Sequence, residues 1–331
     1  MIKKTLYFGS PANLNCKQQQ LIIDIKPEQL EMDFIDYDNY DEWYKNKKKF
    51  TTQTTASQLR SVRHSIPIED IGVIIVDHYS VTISQYLLSE LLENNTSVII
   101  CNRSHVPTGM FLNLDGNTLQ SEKFRAQIDA STPLKKQLWQ QTVQAKIQNQ
   151  ARLLNVNGVE VENMLKWVKD VKSGDTGNHE ARAAAFYWKA IFPENIDFYR
   201  SRTGPPPNSL LNYGYAILRA ITARALVASG LLPTLGIYHR NKYNAYCLAD
   251  DIMEPYRPFV DKIVCELTDN GIEPLELTPA TKKRLLEIAT EDIFINSEKS
   301  PLLVGMQRTT SSLAKCFEGK TKKIIYPELI K

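Results

Sequence analysis

Short apolar runs separated by polar turns fill the first hundred or so residues, a pattern typical of β-strands. The runs that predict strands are residues 5–8, 14–25, 71–77 and 97–101. We expect the first two to pair as a hairpin, and the β-branched density of the third predicts that it is buried. Residues 82–94 have the apolar spacing of a helix. The pattern therefore predicts a β-rich N-terminal domain over residues 1–115.

Beyond Gly116 the apolar positions recur every three or four residues, which indicates helices. The predicted helices are residues 133–154, 159–171, 179–192, 209–230, 257–269, 279–291 and 301–317. Pro133 and Ser209 are suited to helix starts, and Pro193 and Gly230 to helix ends. The prediction is an all-α C-terminal domain over residues 116–331, and hence an α+β fold class.

The amino-acid composition limits where the protein is expected to be located and which partners it is expected to bind. The 40 Lys and Arg residues against 37 Asp and Glu give a net charge of only +3, which does not by itself indicate a nucleic-acid partner. Five cysteines without a C-x-x-C pair argue against a disulfide framework and a cysteine zinc site. The N-terminus lacks the apolar run of a signal peptide, so a cytoplasmic protein is expected. Arg219 and Arg224 interrupt the longest apolar segment, residues 210–232, which favours a buried helix over a membrane span.

Residues 32–63 form a polar insert within the strand-rich region. Its first half is acidic and aromatic, and its second half begins with a basic run of Lys45, Lys47, Lys48 and Lys49. Such a segment is usually a solvated loop, and a binding role for the lysines is the alternative.

One histidine and three acids lie in an otherwise apolar segment, residues 235–261: His239, Asp250, Asp251 and Glu254. An imidazole with several carboxylates suits Mg²⁺ or Mn²⁺ better than structural zinc, which more often recruits thiolates. The segment therefore favours metal-assisted phosphate chemistry. The alternative is that Asp251 and Glu254 form a capping pair for the next helix and that His239 is an ordinary buried histidine.

Glu180 lies in the first turn of the helix predicted at residues 179–192. Acids are favoured there by the helix dipole, so by itself Glu180 indicates no more than an end charge. Basic residues near these acids are suited to positioning phosphates, although each alone is typical of a solvated surface: Arg182, Arg200, Arg202, Arg240 and Lys242.

Four stretches taken together resemble a known family. They are Asn178-x-Glu180-Ala-x-Ala-Ala-x-x-Tyr187-Trp188, Leu-Asn-Tyr-Gly-Tyr-Ala-Ile-Leu at residues 211–218, Gly-Leu-Leu-Pro-Thr-Leu-Gly-Ile-Tyr-His at 230–239, and Leu-Ala-Asp-Asp-Ile-Met-Glu-Pro-Tyr-Arg-Pro at 248–258. In order and spacing they are similar to the CRISPR-associated spacer-acquisition integrases, the first-numbered protein of the adaptation module. The details resemble the branch that accompanies type II systems, with Glu at the last metal position. Residues 32–63 match no part of this pattern.

The resemblance implies a β-rich domain for dimerisation and partner contacts, and a helical catalytic domain. That domain would hold Mg²⁺ or Mn²⁺ on Glu180, His239 and Glu254, with Asp251 as a supporting acid. The implied reaction inserts a foreign DNA fragment into a CRISPR array, by attack of its 3′-hydroxyl on a repeat phosphodiester. Implied partners are the DNA fragment, the repeat and leader, a second copy of this chain and a dimer of the small second adaptation protein. The type II effector nuclease is a further candidate, and no membrane is involved. A branched-DNA nuclease and a non-enzymatic DNA-end clamp are the rival functions.

Overall fold

The computed structural model describes residues 3–25, 34–35, 62–103, 105, 107–192, 196, 198–269 and 276–329. The chain divides into two compact units, Met1–Asn113 and Leu114–Lys331. Most of the polar insert at residues 32–63, including its lysine run, lies outside the described residues.

Two sheets form the first unit. Their strands are β1 (Lys4–Phe8), β2 (Asn13–Lys17), β3 (Gln20–Ile25), β4 (Phe34–Ile35), β5 (Val62–Pro67), β6 (Ile71–Val76), β7 (Thr82–Ile83), β8 (Ser97–Cys101) and β9 (Pro107–Phe111). One sheet has the order β4-β1-β6-β8-β9, and the other the order β5-β3-β2-β7. Helix α1 (Gln85–Glu93) begins after Ser84, whose side chain accepts a hydrogen bond from the Leu87 amide. Leu21, Ile74 and Leu87 belong to one buried core cluster, so apolar side chains hold the strands and the helix together.

The predicted pairing of residues 5–8 with residues 14–25 is wrong. β1 lies in the other sheet, where it runs parallel to β6, and the hairpin is formed by β2 and β3 within residues 13–25. Gln18 and Gln19 at its turn adopt positive φ angles of 51° and 58°, a conformation that tight hairpin turns require. The sequence does not predict this turn, because glycine or asparagine, and not glutamine, usually occupies such positions.

Helices form most of the second unit. They are α2 (Gln120–Ile128), α3 (Thr132–Val156), α4 (Glu162–Asp170), α5 (His179–Ala190), α6 (Asn208–Ala228), α7 (Cys247–Met253), α8 (Arg257–Asp269), α9 (Pro279–Leu286) and α10 (Leu302–Phe317). The long helix α3 packs against α5 and against the 3₁₀ turn Glu254–Tyr256 that joins α7 to α8. This arrangement brings residues distant in sequence to one face of α3.

Two details of the helical unit differ from the predictions. An antiparallel hairpin of β10 (Asp292–Ile295) and β11 (Glu298–Pro301) interrupts the helices, so the unit is not all-α. Ser209 does not cap α6, because the helix begins at Asn208 and the buried Ser209 hydroxyl has no hydrogen-bond partner. Asn208 instead ties the helix start to the carbonyls of Tyr199 and Pro205.

Residues 210–228 lie in the buried helix α6, as the interrupted apolar segment predicted. Within the described part of the chain, no helix is long and apolar enough to cross a membrane.

Candidate metal and phosphate site

Glu180 is held at the start of α5 by the turn that precedes it. The buried carboxylate of Asp175 accepts hydrogen bonds from the amides of His179 and Glu180, each at 3.0 Å. These are amides that a helix start leaves without an intrahelical partner, so Asp175 caps the helix. Asn178, which precedes the helix, has a left-handed φ of 52° and makes no side-chain cap bond. The Glu180 carboxylate is thereby fixed at the helix N-terminus, with its side chain 22% exposed.

Glu254 lies in the 3₁₀ turn between α7 and α8 and is almost fully buried. Its Oε1 accepts a hydrogen bond from Nε of Arg257 at 2.8 Å. Burial raises the pKa of the Glu254 carboxyl, but the charges of Arg257 and Lys146 outweigh burial and lower the pKa to about 2. Glu254 is therefore an ionised carboxylate at neutral pH. The alternative interpretation, a helix cap, does not apply to it, because its oxygens contact side-chain cations and its 3₁₀ turn has no side-chain cap bond.

His239 lies in the segment of turns and bends between α6 and α7, and its ring is oriented by Asp251. Nδ1 of His239 lies 2.5 Å from Oδ1 of Asp251, while Oδ2 of Asp251 accepts from the Tyr238 amide at 2.9 Å. The Asp251 side chain is fully buried, whereas the His239 side chain is 45% exposed. With Nδ1 bound to the carboxylate, Nε2 is the nitrogen left for a ligand. The Trp139 ring stacks on Tyr238 and meets His239 edge-on, which further restricts the imidazole.

The hydrogen bond to Asp251 raises the pKa of His239. Burial opposes this effect, and the charges of Asp251, Glu254 and Glu180 add to it. The charges of the last two carboxylates thus act on the imidazole.

Asp250, the other acid of this segment, binds a different partner. Both of its oxygens accept hydrogen bonds from the Arg219 guanidinium, at 2.6 and 3.1 Å.

Sequence reasoning missed Lys146, the residue that joins the two glutamates. Its Nζ lies 2.7 Å from Oε1 of Glu180 and 2.6 Å from Oε2 of Glu254. Lys146 lies on the same face of α3 as the buried Thr142 and Gln150, one turn away on either side, but both are polar, so the sequence does not indicate that this face is buried. A lysine on a buried helix face requires a partner of opposite charge, and here it has two.

The predicted ligand set has the chemistry that a hard divalent cation requires. Glu254 offers a buried Oε2 that makes no well-formed hydrogen bond and lies 2.6 Å from the Lys146 ammonium, and the His239 ring offers Nε2. As the side chains stand, no group of three His, Cys, Asp or Glu side chains converges closely enough to hold an ion among the described residues. The donor types fit Mg²⁺ or Mn²⁺, while coordination would require the carboxylates to release Lys146.

A second buried network lies behind Glu254. Asp261 accepts hydrogen bonds from the hydroxyls of Tyr187, at 2.7 Å, and Tyr215. The Arg257 guanidinium lies over the Tyr215 ring, 4.4 Å from its centroid, while its Nε binds Glu254. Tyr187 is therefore a core residue, and this network fixes Arg257 and through it Glu254.

The five basic residues predicted to contact DNA have different environments. Arg182, Arg202, Arg240 and Lys242 are exposed. Arg200 is partly buried, donates to Oδ1 of both Asn208 and Asn212 at 2.8 Å, and lies over the Trp188 and Tyr215 rings. Its hydrogen bonds go to protein oxygens, whereas the other four side chains face solvent. Contact with DNA stays a prediction for all five.

The same fold is found in solved structures of other proteins. The structure entitled "Casposase bound to integration product" superposes with a TM-score of 0.74 at 20% identity, covering 97% of this chain and 92% of that one. A Cas6-RT-Cas1–Cas2 complex gives a TM-score of 0.69 at 20% identity, covering 100% of this chain and 37% of the matched chain. At these identities the likeness defines the shared fold.

Sequence comparison defines the family. The CRISPR-associated endonuclease Cas1 of Neisseria meningitidis serogroup C (strain 8013) is 37% identical over 270 residues, covering 81% of this chain and 88% of the relative. The family described as CRISPR associated protein Cas1 matches residues 44–297. The chain belongs to the Cas1 family. The resemblance drawn from the four motifs and the α+β fold class are both confirmed.

Proposed function

We propose that this protein is a divalent-metal-dependent DNA integrase and endonuclease that inserts foreign DNA fragments into a CRISPR array. The observation that carries the proposal is the meeting of Glu180 and Glu254 at one cation, together with the Asp251-oriented His239, on which the charges of both glutamates act. Two carboxylates and one imidazole form a donor set suited to Mg²⁺ or Mn²⁺. Membership of a family whose relative is named an endonuclease supports the same activity.

The proposed roles of the side chains follow from their contacts. Glu180 and Glu254 supply oxygen ligands, and His239 supplies Nε2 because Asp251 occupies Nδ1. Arg257 holds the Glu254 carboxylate in place from its other oxygen. When bound, the ion polarises a phosphoryl oxygen and lowers the pKa of the attacking hydroxyl. The exposed side chains of Arg182 and Arg240 neutralise DNA phosphates next to this centre.

The proposed assembly consists of two dimers of this chain bridged by a dimer of the small second adaptation protein. A solved neighbour of the same fold is a complex that contains both Cas1 and Cas2, which supports this partner. In this proposal the β-rich unit provides dimer and partner contacts, and the helical unit performs the chemistry. The DNA ligands are the fragment duplex and the CRISPR repeat with its leader.

Incubation of the purified protein with its small partner, a duplex bearing free 3′-hydroxyl ends, a repeat-containing plasmid and Mn²⁺ tests the proposal. We expect joined fragment–plasmid product, and none from His239→Ala, which loses the imidazole ligand without adding charge. Cleavage of branched DNA without joining would favour the nuclease alternative. Binding without joining or cleavage would favour the DNA-end clamp.

A further inference from the structure

Lys146 presents an ammonium to the oxygens that the proposed metal site requires. Its side chain is 12% exposed, and its Nζ contacts Glu180 at 2.7 Å and Glu254 at 2.6 Å. The two glutamates come from different elements, the first turn of α5 and the 3₁₀ turn before α8. Lys146, on α3, is thus the group that neutralises and joins them.

The ammonium and a divalent ion cannot both use these oxygens. A Mg²⁺ ion requires carboxylate oxygens at roughly 2.0–2.1 Å in a near-octahedral arrangement. Oε2 of Glu254 is buried and contacts Lys146, while Oε1 is bound to Arg257, so the ion would take the oxygen that Lys146 occupies. Two cations at one buried oxygen repel each other strongly, and the flexible four-carbon stem of lysine allows the ammonium to move away.

We propose that Lys146 is an internal counter-cation that competes with the divalent ion for Glu180 and Glu254, so that metal binding proceeds by displacing the ammonium. This inference rests on the proposed function, because it assumes that these glutamates are ligands. Lys146 then has two opposing effects. It stabilises the metal-free protein by placing a positive charge between two carboxylates, and it weakens metal binding because its contacts must be broken first.

The test measures Mn²⁺ affinity and thermal stability in the full-length chain, without a DNA substrate. Lys146→Met keeps the length of the stem and removes the charge. We expect its Mn²⁺ affinity, measured by calorimetry or electron paramagnetic resonance, to rise on the order of tenfold or more, the effect of losing one competing charge. We also expect a lower melting temperature without metal and a larger increase on adding Mn²⁺ than the wild type shows. Lys166→Met, on the exposed face of α4, is the matched control and should change neither quantity.

Lys146→Arg is a second test variant, which can be measured even if Lys146→Met fails to fold. Arginine keeps a positive charge that can bind both carboxylates, so we expect Mn²⁺ affinity equal to or below that of the wild type. Unchanged or weaker binding by Lys146→Met, or tighter binding by Lys146→Arg, would overturn the inference.

Failure of the proposed metal site would give a different result. If the wild type binds Mn²⁺ and Glu180→Gln abolishes that binding, the site stands, and the Lys146 variants alone decide the inference. If neither the wild type nor Lys146→Met binds Mn²⁺, the metal site is wrong and the competition inference is overturned with it. Binding by Lys146→Met alone would be the strongest support for competition.

Discussion

Nδ1 of His239 lies 2.5 Å from Oδ1 of Asp251, and this contact determines which ring nitrogen is available to a ligand. A fully buried carboxylate that accepts a hydrogen bond from Nδ1–H leaves the lone pair on Nε2. The same carboxylate accepts from the Tyr238 amide, so it fixes backbone and ring together. Asp251 is therefore a positioning residue, which orients the imidazole of His239.

Asp251→Asn should weaken Mn²⁺ binding by about 10–100-fold, the range typical of residues that orient a ligand. The amide oxygen can still accept from the Tyr238 amide, but the amide NH₂ then faces Nδ1 and moves the ring proton to Nε2, the proposed ligand atom. Calorimetry with Mn²⁺ measures the loss.

Asp250→Asn is the matched control for this prediction. It removes the same charge from the neighbouring residue, whose oxygens bind Arg219. We expect less than a threefold change in Mn²⁺ affinity. Equal losses from the two variants would show that general negative charge, and not the orientation of His239, controls binding.

Glu180→Gln and Glu254→Gln should both abolish Mn²⁺ binding and joining, but only the second should strongly destabilise the protein. Glu254→Gln removes the charge that faces Lys146 and Arg257, and leaves two buried cations poorly compensated. Removing one partner of a buried ion pair typically costs about 3–5 kcal/mol. Glu180→Gln leaves Lys146 paired with Glu254, and Glu180 is more exposed, so a smaller loss of stability is expected.

Thermal melts of the two variants, followed by circular dichroism, check this difference. Equal melting temperatures would mean that the buried position of Glu254 between two cations contributes little to stability. Joining by either variant at the wild-type rate would contradict its assignment as a ligand.

The motifs of the sequence identified the proposed ligands, whereas several contacts around them appear only in the structure. Glu180, His239 and Glu254 could be predicted because their residue types and spacing match a family pattern. Lys146 and Asp261 could not, because their roles depend on contacts with residues that are far away in the chain. Asp175 is a local case, because its carboxylate binds the amides four and five residues further along the chain, at the start of α5.

The fold, too, could be predicted only in part from the sequence. The periodicity of apolar residues predicted α3 and α6 well, since each buries a wide face. Pairing of β1 was predicted wrongly, because neighbouring strands in sequence need not be neighbours in a sheet. β1 is instead adjacent to β6, with which it runs parallel.

The pH dependence of stability should contain two contributions of opposite sign. The pKa of Glu254 is lowered from 4.5 to about 2, so its stabilising contribution is present above pH 4.5 and is lost as the pH falls toward 2. The pKa of Asp261 is raised by burial from 3.8 to about 6, against the lowering effect of its hydrogen bonds from Tyr215 and Tyr187. Its folded form holds the proton more tightly, so stability falls as the pH rises from about 4 to 6.

Asp261→Asn should remove the second contribution, which amounts to about 3 kcal/mol at most. We expect the wild type to lose stability relative to this variant between pH 4 and pH 6, and the difference to stay constant above that range. Urea unfolding followed by tryptophan fluorescence measures it, because Trp139, Trp167 and Trp188 all lie in the helical unit. The exposed Asp170→Asn is the control. A constant difference between wild type and Asp261→Asn throughout this range would show that Asp261 ionises normally.

Arg240 and Arg200 should respond differently to alanine substitution, although both were predicted to contact DNA. Arg240 is exposed next to His239, so Arg240→Ala should leave the melting temperature unchanged and weaken DNA binding, with the log–log salt slope reduced by roughly 0.9. Arg200 bonds to Asn208 and Asn212 and lies over two aromatic rings, so Arg200→Ala should lower the melting temperature and leave the salt slope near the wild-type value. Fluorescence anisotropy with a labelled duplex over a range of NaCl concentrations, paired with thermal melts, separates the two. A full reduction in slope from Arg200→Ala would mean that its guanidinium leaves the asparagines to bind phosphate, and an unchanged slope from Arg240→Ala would remove Arg240 from the DNA surface.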